Sequence, residues 1–195
     1  AKTLFPYTTL FRSVANAIIH QDFLATGSSV MIEIYKDRFE VTNPGTPLID
    51  TDRFLDSPPK SRNEALASFM RRIGICEERG SGVDKIVMQT ELYQLPAPIF
   101  RSVDGFTMAT LFAHKELKDM NKDDKIRACY MHCVLRYTQN DYMTNTSLRE
   151  RFNIDSKNTA MVSRIIKDAL DANKIVLYDE NVGTKARTYI PSWAK

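Results

Sequence analysis

The chain has 195 residues, 43% of them hydrophobic and 26% charged, a composition of folded globular proteins that excludes a disordered or collagen-like chain. No apolar run approaches the roughly 20 residues that span a bilayer, and no signal peptide is recognisable, so we expect a cytoplasmic protein without a membrane partner. The net charge of +3 divides into −1 for residues 1–114 and +4 for residues 115–195, which directs any anionic macromolecular partner to the second part.

The first part of the chain predicts an α+β domain over residues 14–114. Apolar residues at helical spacing predict a helix that ends near His20. Alternation in the next segment predicts a β-hairpin with one buried face, formed by Val30, Ile32, Ile34, Phe39 and Val41. Residues 43–61 then contain four prolines and no periodicity, and loops of that length are usually functional or mobile.

Two further helices and a strand complete this domain. An amphipathic helix is predicted over residues 62–73 and ends at Gly74, with the apolar stripe Ala65, Leu66, Phe69, Met70 and Ile73. A glycine-containing loop, residues 80–82, leads into a second helix over 83–93. Alternation over residues 106–112 predicts a strand that joins the hairpin in one sheet.

A charged linker, residues 115–124, separates this domain from a second one over residues 125–195. Apolar spacing there predicts a helix over 126–137, a second helix capped by Thr146, and a third capped by Ser156. The apolar stripe of the third helix comprises Val162, Ile165, Ile166, Ala169 and Leu170.

Two strands, residues 175–178 and 186–190, follow the third helix. Three helices followed by a β-hairpin are the arrangement of a winged helix-turn-helix. The second domain is therefore predicted to be of this type.

The three cysteines are expected to be free thiols, because an odd number without a secretory signal indicates a reducing compartment. Cys129 and Cys133 lie one helical turn apart, a spacing that suits two metal ligands. No second Cys/His pair follows at zinc spacing, so we expect both to pack in the core.

Three short segments suggest a phosphate site in the first domain. A Gly-x-Gly that enters a helix, Gly80 to Gly82, offers backbone N–H groups and the positive end of a helix dipole. Asn16, on a helix upstream, is suited to hold a magnesium ion against phosphates. Each segment also has a plain structural interpretation: a helix-entry turn at Gly80–Gly82 and a simple turn at Asn43-Pro44-Gly45.

In this order, the segments NAIIHQDF, VTNPG, SRNEALASFMRRIG and EERGSGVDKI resemble the C-terminal domain of RecG-like ATP-dependent helicases. That domain follows a Schlafen AlbA-type domain in many bacterial transcriptional regulators, and it is similar to the GHKL ATPases with their Bergerat-type α/β sandwich. The resemblance covers residues 14–112 and implies ATP and Mg²⁺ as ligands. It does not imply a helicase motor, because the chain has no GxxxxGK[ST] loop.

The resemblance also implies a set of site residues. Asn16 matches the magnesium-binding asparagine, Asn43 and Gly45 match the adenine box, and residues 80–82 match the glycine box. The alternative for the arginine and asparagine members is structural, with Ser61 and Asn63 as helix caps and Arg79 in an ion pair with a neighbouring carboxylate. The implied nucleotide-binding residues are Asn16, His20, Asp22, Asn43, Gly45, Arg62, Asn63, Arg79, Gly80, Ser81 and Gly82.

Two departures from the family bear on activity. Asn43 replaces an aspartate, so adenine is read weakly or through the amide. The glutamate that activates water in hydrolysing relatives lies one turn before Asn16, where this chain has Arg12, which is no general base. Residues 4–13 fit no part of the family and resemble translated sequencing adaptor, so we interpret residues 1–13 as a non-native leader on a truncated gene product.

The third helix of the second domain is the expected DNA reader, since it carries Asn and Arg opposite its apolar stripe. Basic residues of the second helix, Arg149 and Arg151, and of the wing suit phosphates. Protein contact, dimerisation or an ordinary solvated basic face are the alternatives. The expected DNA-binding residues are Arg149, Lys157, Asn158, Thr159, Met161, Ser163, Arg164, Lys185 and Arg187.

The sequence thus favours a nucleotide-binding, DNA-binding transcriptional regulator that forms a homodimer and does not hydrolyse its nucleotide. One alternative is an active ATPase, once an upstream glutamate is restored. The other is a dimerisation scaffold that has lost its ligand.

Overall fold

A computed structural model describes residues 6–76 and 82–195, and at Lys185 only the backbone. The chain divides into two compact units: the first comprises Ala1–Gln89 and Pro98–His114, the second Thr90–Ala97 and Lys115–Lys195. No helix within the described ranges is long and apolar enough to cross a membrane.

The first unit is built on a four-stranded antiparallel sheet. In chain order its strands are β1 (Met31–Ile34), β2 (Arg38–Pro44), β3 (Ile99–Val103) and β4 (Phe106–Phe112), and their spatial order is β1-β2-β4-β3. The predicted hairpin is confirmed as β1 and β2, and β4 joins it by pairing with β2. The mixed α+β class expected for this part of the chain is confirmed.

Strand β3 was not predicted from the sequence. It pairs with β4 across a two-residue turn in which Val103 lies opposite Phe106. Both turn residues, Asp104 and Gly105, have positive φ angles of 48° and 85°. An Asp-Gly pair is the preferred sequence for such a turn, so the signal for this hairpin was present.

Helices α1 (Tyr7–His20), α2 (Glu64–Arg72) and α3 (Gly82–Leu92) complete the first unit, with α3 ending in the second. One face of α1 packs Ala17 against the sheet residues Phe39 and Val41. The opposite face packs Ala15 and Ile19 against α2. A third face of α1, between these two, is left for the site described below.

The buried face expected for the hairpin is only half correct. Phe39 and Val41 on β2 are buried, whereas their register partners on β1, Ile34 and Ile32, are 76% and 46% exposed. The reason is position: β1 is the edge strand, and α1 covers β2.

The stripe predicted for α2 is also partly wrong. Met70 is buried, but Phe69 and Ile73 are 57% and 51% exposed, and Ala67 is buried instead. The Nδ2 of Asn63, the residue before α2, donates to two carbonyl oxygens at the end of α1. Residues 63, 67 and 70 share one helical face, so this anchor turns Ala67 and Met70 toward α1.

The second unit contains helices α4 (Lys122–Thr138), α5 (Asn145–Arg151) and α6 (Thr159–Asp171), and a two-stranded antiparallel sheet of β5 (Ile175–Leu177) and β6 (Tyr189–Pro191). Val134 on α4, Leu148 on α5 and Val162 on α6 are fully buried. The predicted apolar stripe of the third helix is confirmed, with Leu170 half-buried. Cys129 and Cys133 are buried free thiols whose pKa burial raises.

Helix starts in this unit differ from the prediction. The cap of α5 is Thr144, not Thr146: its hydroxyl accepts from the Ser147 N–H, and the Ser147 hydroxyl accepts from the Thr144 N–H. Asp155 rather than Ser156 caps the 3-10 turn Ser156–Asn158 that precedes α6. The residue before α6, Asn158, makes no capping bond with its side chain. Residues 184–186 likewise form a 3-10 turn, so the second strand starts later than predicted.

Candidate functional site

A cavity of about 410 Å³ opens in the first unit beside the third face of α1. Three residues on successive turns of α1, Arg12, Asn16 and His20, line one wall. Asn43 on β2 and Thr107 on β4, which are register partners, line the sheet side. Most of residues 46–62 line the cavity too. They overlap the long loop over residues 43–61, which the sequence predicted to be functional or mobile.

The charge of the lining is one-sided. Burial, and then the charge of Arg62, lower the pKa of His20, so its imidazole is neutral at neutral pH. Among the described lining residues there is no aspartate or glutamate, whereas four are cationic: Arg12, Lys60, Arg62 and Arg71. Such a cavity suits an anion, although the sequence up to His114 carries a net charge of −1.

Arg62 is held in place by the backbone around it. Its Nε donates to the His20 carbonyl oxygen at 3.1 Å and its Nη2 to the Thr46 carbonyl oxygen at 2.6 Å. Its Nη1 lies 3.7 Å from a carboxylate oxygen of Asp22. The guanidinium therefore ties the loop to the end of α1 and presents a positioned positive charge at the cavity.

Gly45 supports this wall through its backbone. Its φ of +104° is one that side chains rarely adopt, and a Cβ there would lie 3.0 Å from the Asp22 Cβ. Its carbonyl oxygen accepts from the Thr107 hydroxyl at 2.7 Å. Gly45 and Asp22 are thus framework residues that do not line the cavity.

Asn43 is buried, with 4% of its surface exposed. Its Nδ2 donates to the Pro44 carbonyl oxygen at 3.1 Å, and its Oδ1 has no hydrogen-bond partner among the described residues. The amide therefore offers an acceptor to a ligand, as the expected aspartate would.

The structure brings together five of the predicted nucleotide-binding residues as cavity lining: Asn16, His20, Asn43, Arg62 and Gly82. Three others, Asp22, Gly45 and Asn63, hold the cavity's framework through the contacts above and do not line it. Asn63 precedes α2 as expected, yet its side chain makes no capping bond there and binds the end of α1 instead. Arg79, Gly80 and Ser81 lie outside the described residues. Thr107, Lys60 and Arg71 were not predicted, since only the fold brings them to the cavity.

Magnesium fits this cavity poorly. Protein-bound Mg²⁺ on nucleotides usually has one or two carboxylate ligands, and none is found among the described lining residues. The remaining candidate, Asn16, packs its amide against the start of α3, with both amide heteroatoms 3.0 Å from the Cβ position of Gly82. The described ranges hold no cluster of three His, Cys, Asp or Glu residues for a metal.

Asp84, in the first turn of α3, supplies a pH-dependent prediction. Its Oδ1 is buried without a hydrogen-bond partner among the described residues, and burial raises the carboxyl pKa from 3.8 to about 6. The ionised form therefore destabilises the fold above that pH. We expect Asp84→Asn to stabilise the protein at pH 7.5 by on the order of 1 kcal/mol, because partial exposure screens the effect.

Urea denaturation across pH measures this gain. It should shrink as the pH falls through 6 and vanish below the unfolded pKa of 3.8. The matched control is Asp123→Asn, an exposed carboxylate in the first turn of α4. A stabilisation by Asp84→Asn that is equal at all pH values would contradict the assignment.

In the second unit, the expected reader residues share one exposed surface of the third helix. Lys157, Asn158, Thr159, Met161, Ser163 and Arg164 are all exposed, opposite the buried stripe. Lys167, one turn after Ser163, is exposed as well and was not predicted. We call these seven residues the α6 surface. Arg187 is exposed, Arg149 is half-buried, and the Lys185 side chain lies outside the described part of the chain.

The expectation that Arg151 contacts phosphates is wrong, because its buried side chain is not available to a partner. Its side chain is 1% exposed and its Nε lies 3.7 Å from Glu91, at the end of α3. Its Nη2 donates to the Leu95 carbonyl oxygen at 2.8 Å. Glu91 also contacts the Nδ1 of His132 at 3.0 Å, and the Nε2 of His132 lies 3.1 Å from the Ser147 hydroxyl. This buried polar cluster joins residues 90–97 to the helices of the second unit.

Comparison with known proteins identifies a related family for most of the first unit. Residues 27–111 match the family described as "Putative ATP-dependent DNA helicase recG C-terminal". The RecG-like resemblance is thereby confirmed from before β1 to β4, while Asn16, His20 and Asp22 precede the matched range. Among curated proteins, no sequence matches the chain.

A solved structure resembles the fold of the chain. The DIP2311 protein from Corynebacterium diphtheriae aligns with a TM-score of 0.57 over 98% of this chain, at 17% sequence identity. This chain spans 41% of that protein's chain. At this identity the similarity concerns the fold alone.

Proposed function

We propose that the cavity of the first unit binds a nucleoside polyphosphate such as ATP, in the manner of a GHKL-type module. The observation that carries this proposal is the one-sided charge of the lining: among the described lining residues there is no carboxylate, and three of the four cationic side chains, Lys60, Arg62 and Arg71, lie outside the leader interpreted over residues 1–13. The match to a family described as ATP-dependent supports it. The apolar side chains of the lining and the Asn43 amide suit the nucleobase, and the cationic side chains suit the phosphates.

We further propose that this chain binds the nucleotide without hydrolysing it. Attack of water on a phosphate needs a group to orient or deprotonate the water. The described lining offers no carboxylate for that role, and the position one turn before Asn16 is Arg12. This supports the binding hypothesis over the alternative of an active ATPase.

Gly82→Ala tests where the nucleotide binds. An added Cβ would lie 3.0 Å from the amide of Asn16, so the amide must shift and narrow the cavity. We expect ATP to bind about tenfold more weakly, a loss of about 1.4 kcal/mol, by isothermal titration calorimetry.

The matched control for this variant is Gly183→Ala, because a Cβ at Gly183 meets nothing within 4 Å. It should bind ATP as the wild type does. Equal ATP affinity in the two variants would contradict the assigned position. Absence of ATP binding by the wild type would favour the alternative of a scaffold without a ligand.

For the second unit, we propose a winged helix that binds double-stranded DNA as part of a homodimer. The support is the α6 surface, whose three cations and one asparagine are all exposed on α6 and on the 3-10 turn that precedes it after α5. In this proposal the hairpin of β5 and β6 is the wing. In this proposal the full chain acts as a nucleotide-responsive transcriptional regulator.

A further inference from the structure

We propose that the cavity binds its nucleotide as the metal-free polyanion, with protein cations in the place of a magnesium ion. This inference rests on the proposed nucleotide function and concerns the chemical form of the ligand. It departs from the Mg²⁺ requirement that the family resemblance implies.

The described part of the cavity lining lacks an anionic metal ligand. Carboxylates are the usual protein ligands of Mg²⁺ in nucleotide sites, because they offset the cost of dehydrating the ion. No described residue of the cavity lining is an aspartate or glutamate. Asn16 offers one neutral oxygen, and its amide lies close to Gly82.

Cationic side chains of the lining can take the place of the metal ion's charge. Lys60 lines the cavity and forms no ion pair with any described residue. The guanidinium of Arg62 is fixed by two carbonyl oxygens, with the Asp22 carboxylate 3.7 Å from its Nη1, so little side-chain entropy is lost when it meets a phosphate. Arg71 lies 3.2 Å from Glu64, whose side chain is half exposed and outside the lining. The first turn of α3 adds the positive end of a helix dipole at Gly82.

These charges act on the two forms of the ligand differently. Metal-free ATP carries more negative charge than its magnesium complex, so the cations attract it more strongly. A magnesium ion would in addition be repelled by the cations, with no carboxylate among the described lining residues to compensate. The free form should therefore bind at least as tightly as the magnesium complex.

The experiment is calorimetric titration of the full chain with ATP, once with EDTA and once with excess MgCl₂, at matched ionic strength. We expect the dissociation constant in EDTA to be equal or lower. Lys60→Gln should weaken binding in EDTA by about fivefold to tenfold. Lys36→Gln, an exposed lysine of the β1–β2 turn that does not line the cavity, is the matched control and should change nothing.

Binding that is more than threefold tighter with MgCl₂ would contradict the inference and leave the nucleotide function standing. Wild-type ATP affinity in Lys60→Gln would contradict the inference as well, because it would show that the Lys60 cation does not contact the nucleotide. No binding in either buffer would instead overturn the proposed nucleotide function itself.

Discussion

Replacing Glu91 by alanine should lower the free energy of unfolding of the second unit by about 3–5 kcal/mol, because it leaves a buried arginine without its counter-charge. The Arg151 side chain is 1% exposed, and its Nε and Nη1 have no hydrogen-bond partner within the described part of the chain. Burial lowers the Arg151 pKa, which the charge of Glu91 partly opposes. Glu91 also holds His132, so one substitution removes two contacts.

Urea denaturation followed by fluorescence measures this loss. Trp193, the one tryptophan of the chain, reports on the second unit, where its ring packs against Tyr137 and its indole N–H donates to the Tyr130 hydroxyl. Glu150→Ala, an exposed glutamate on α5, is the matched control and should change stability by less than about 0.5 kcal/mol.

A double variant separates charge burial from other effects. Glu91→Leu with Arg151→Met replaces the ion pair by apolar side chains, and we expect it to recover most of the lost stability. A cost below about 1 kcal/mol for Glu91→Ala would show that the carboxylate is not what compensates Arg151.

Arg164→Ala should weaken binding to duplex DNA by about tenfold, within the range of 1–3 kcal/mol for a side chain that contacts DNA. Arg164 is exposed on the α6 surface, between Lys157 and Lys167. The wild type should bind with a strong salt dependence, a slope of about −0.9 per phosphate neutralised.

Fluorescence anisotropy with a labelled duplex over a salt series measures both quantities. If Arg164 contacts a phosphate, the slope of the variant should fall by about one. Arg72→Ala, an exposed arginine of α2 in the first unit, is the matched control. Salt-independent binding, or equal losses in the two variants, would contradict a DNA role for the α6 surface.

Much of the fold follows from the spacing of apolar residues, which repeats every two residues in strands and every 3.6 residues in helices. The hairpin, strand β4, the helices and the buried stripe of α6 were predicted, because each pattern reports which side of one element faces a core. The register of β2 against β4 and the place of β3 depend on partners distant in the chain. No local pattern specifies them, although the Asp-Gly turn at 104–105 did announce the hairpin.

Errors in the prediction arose where an element has only one neighbour. Ile34 alternates correctly, yet it is exposed because β1 is an edge strand. Phe69 lies on an apolar stripe, yet it is exposed, because the hydrogen bonds of Asn63 turn a different face of α2 toward α1. Such long-range contacts are invisible to periodicity.

The residues of the candidate site were predicted only in part, because long-range contacts also determine which side chains line the cavity. Asn16, Asn43 and Gly82 were found because motif order carries over from a family. Lys60, Arg71 and Thr107 reach the cavity from the long loop, a helix and a distant strand, and no spacing rule links them. The charge of the cavity therefore became apparent only in three dimensions.

The most direct test of the central claim, that this cavity holds a nucleotide, is hydrogen exchange measured by mass spectrometry with and without saturating ATP. We expect slower exchange of the loop over residues 46–62 and of the first turn of α3, because residues of both line the cavity. Peptides of α6 should be unchanged in the absence of DNA. Unaltered exchange in the loop and α3 at saturating ATP, or protection confined to the second unit, would contradict the claim.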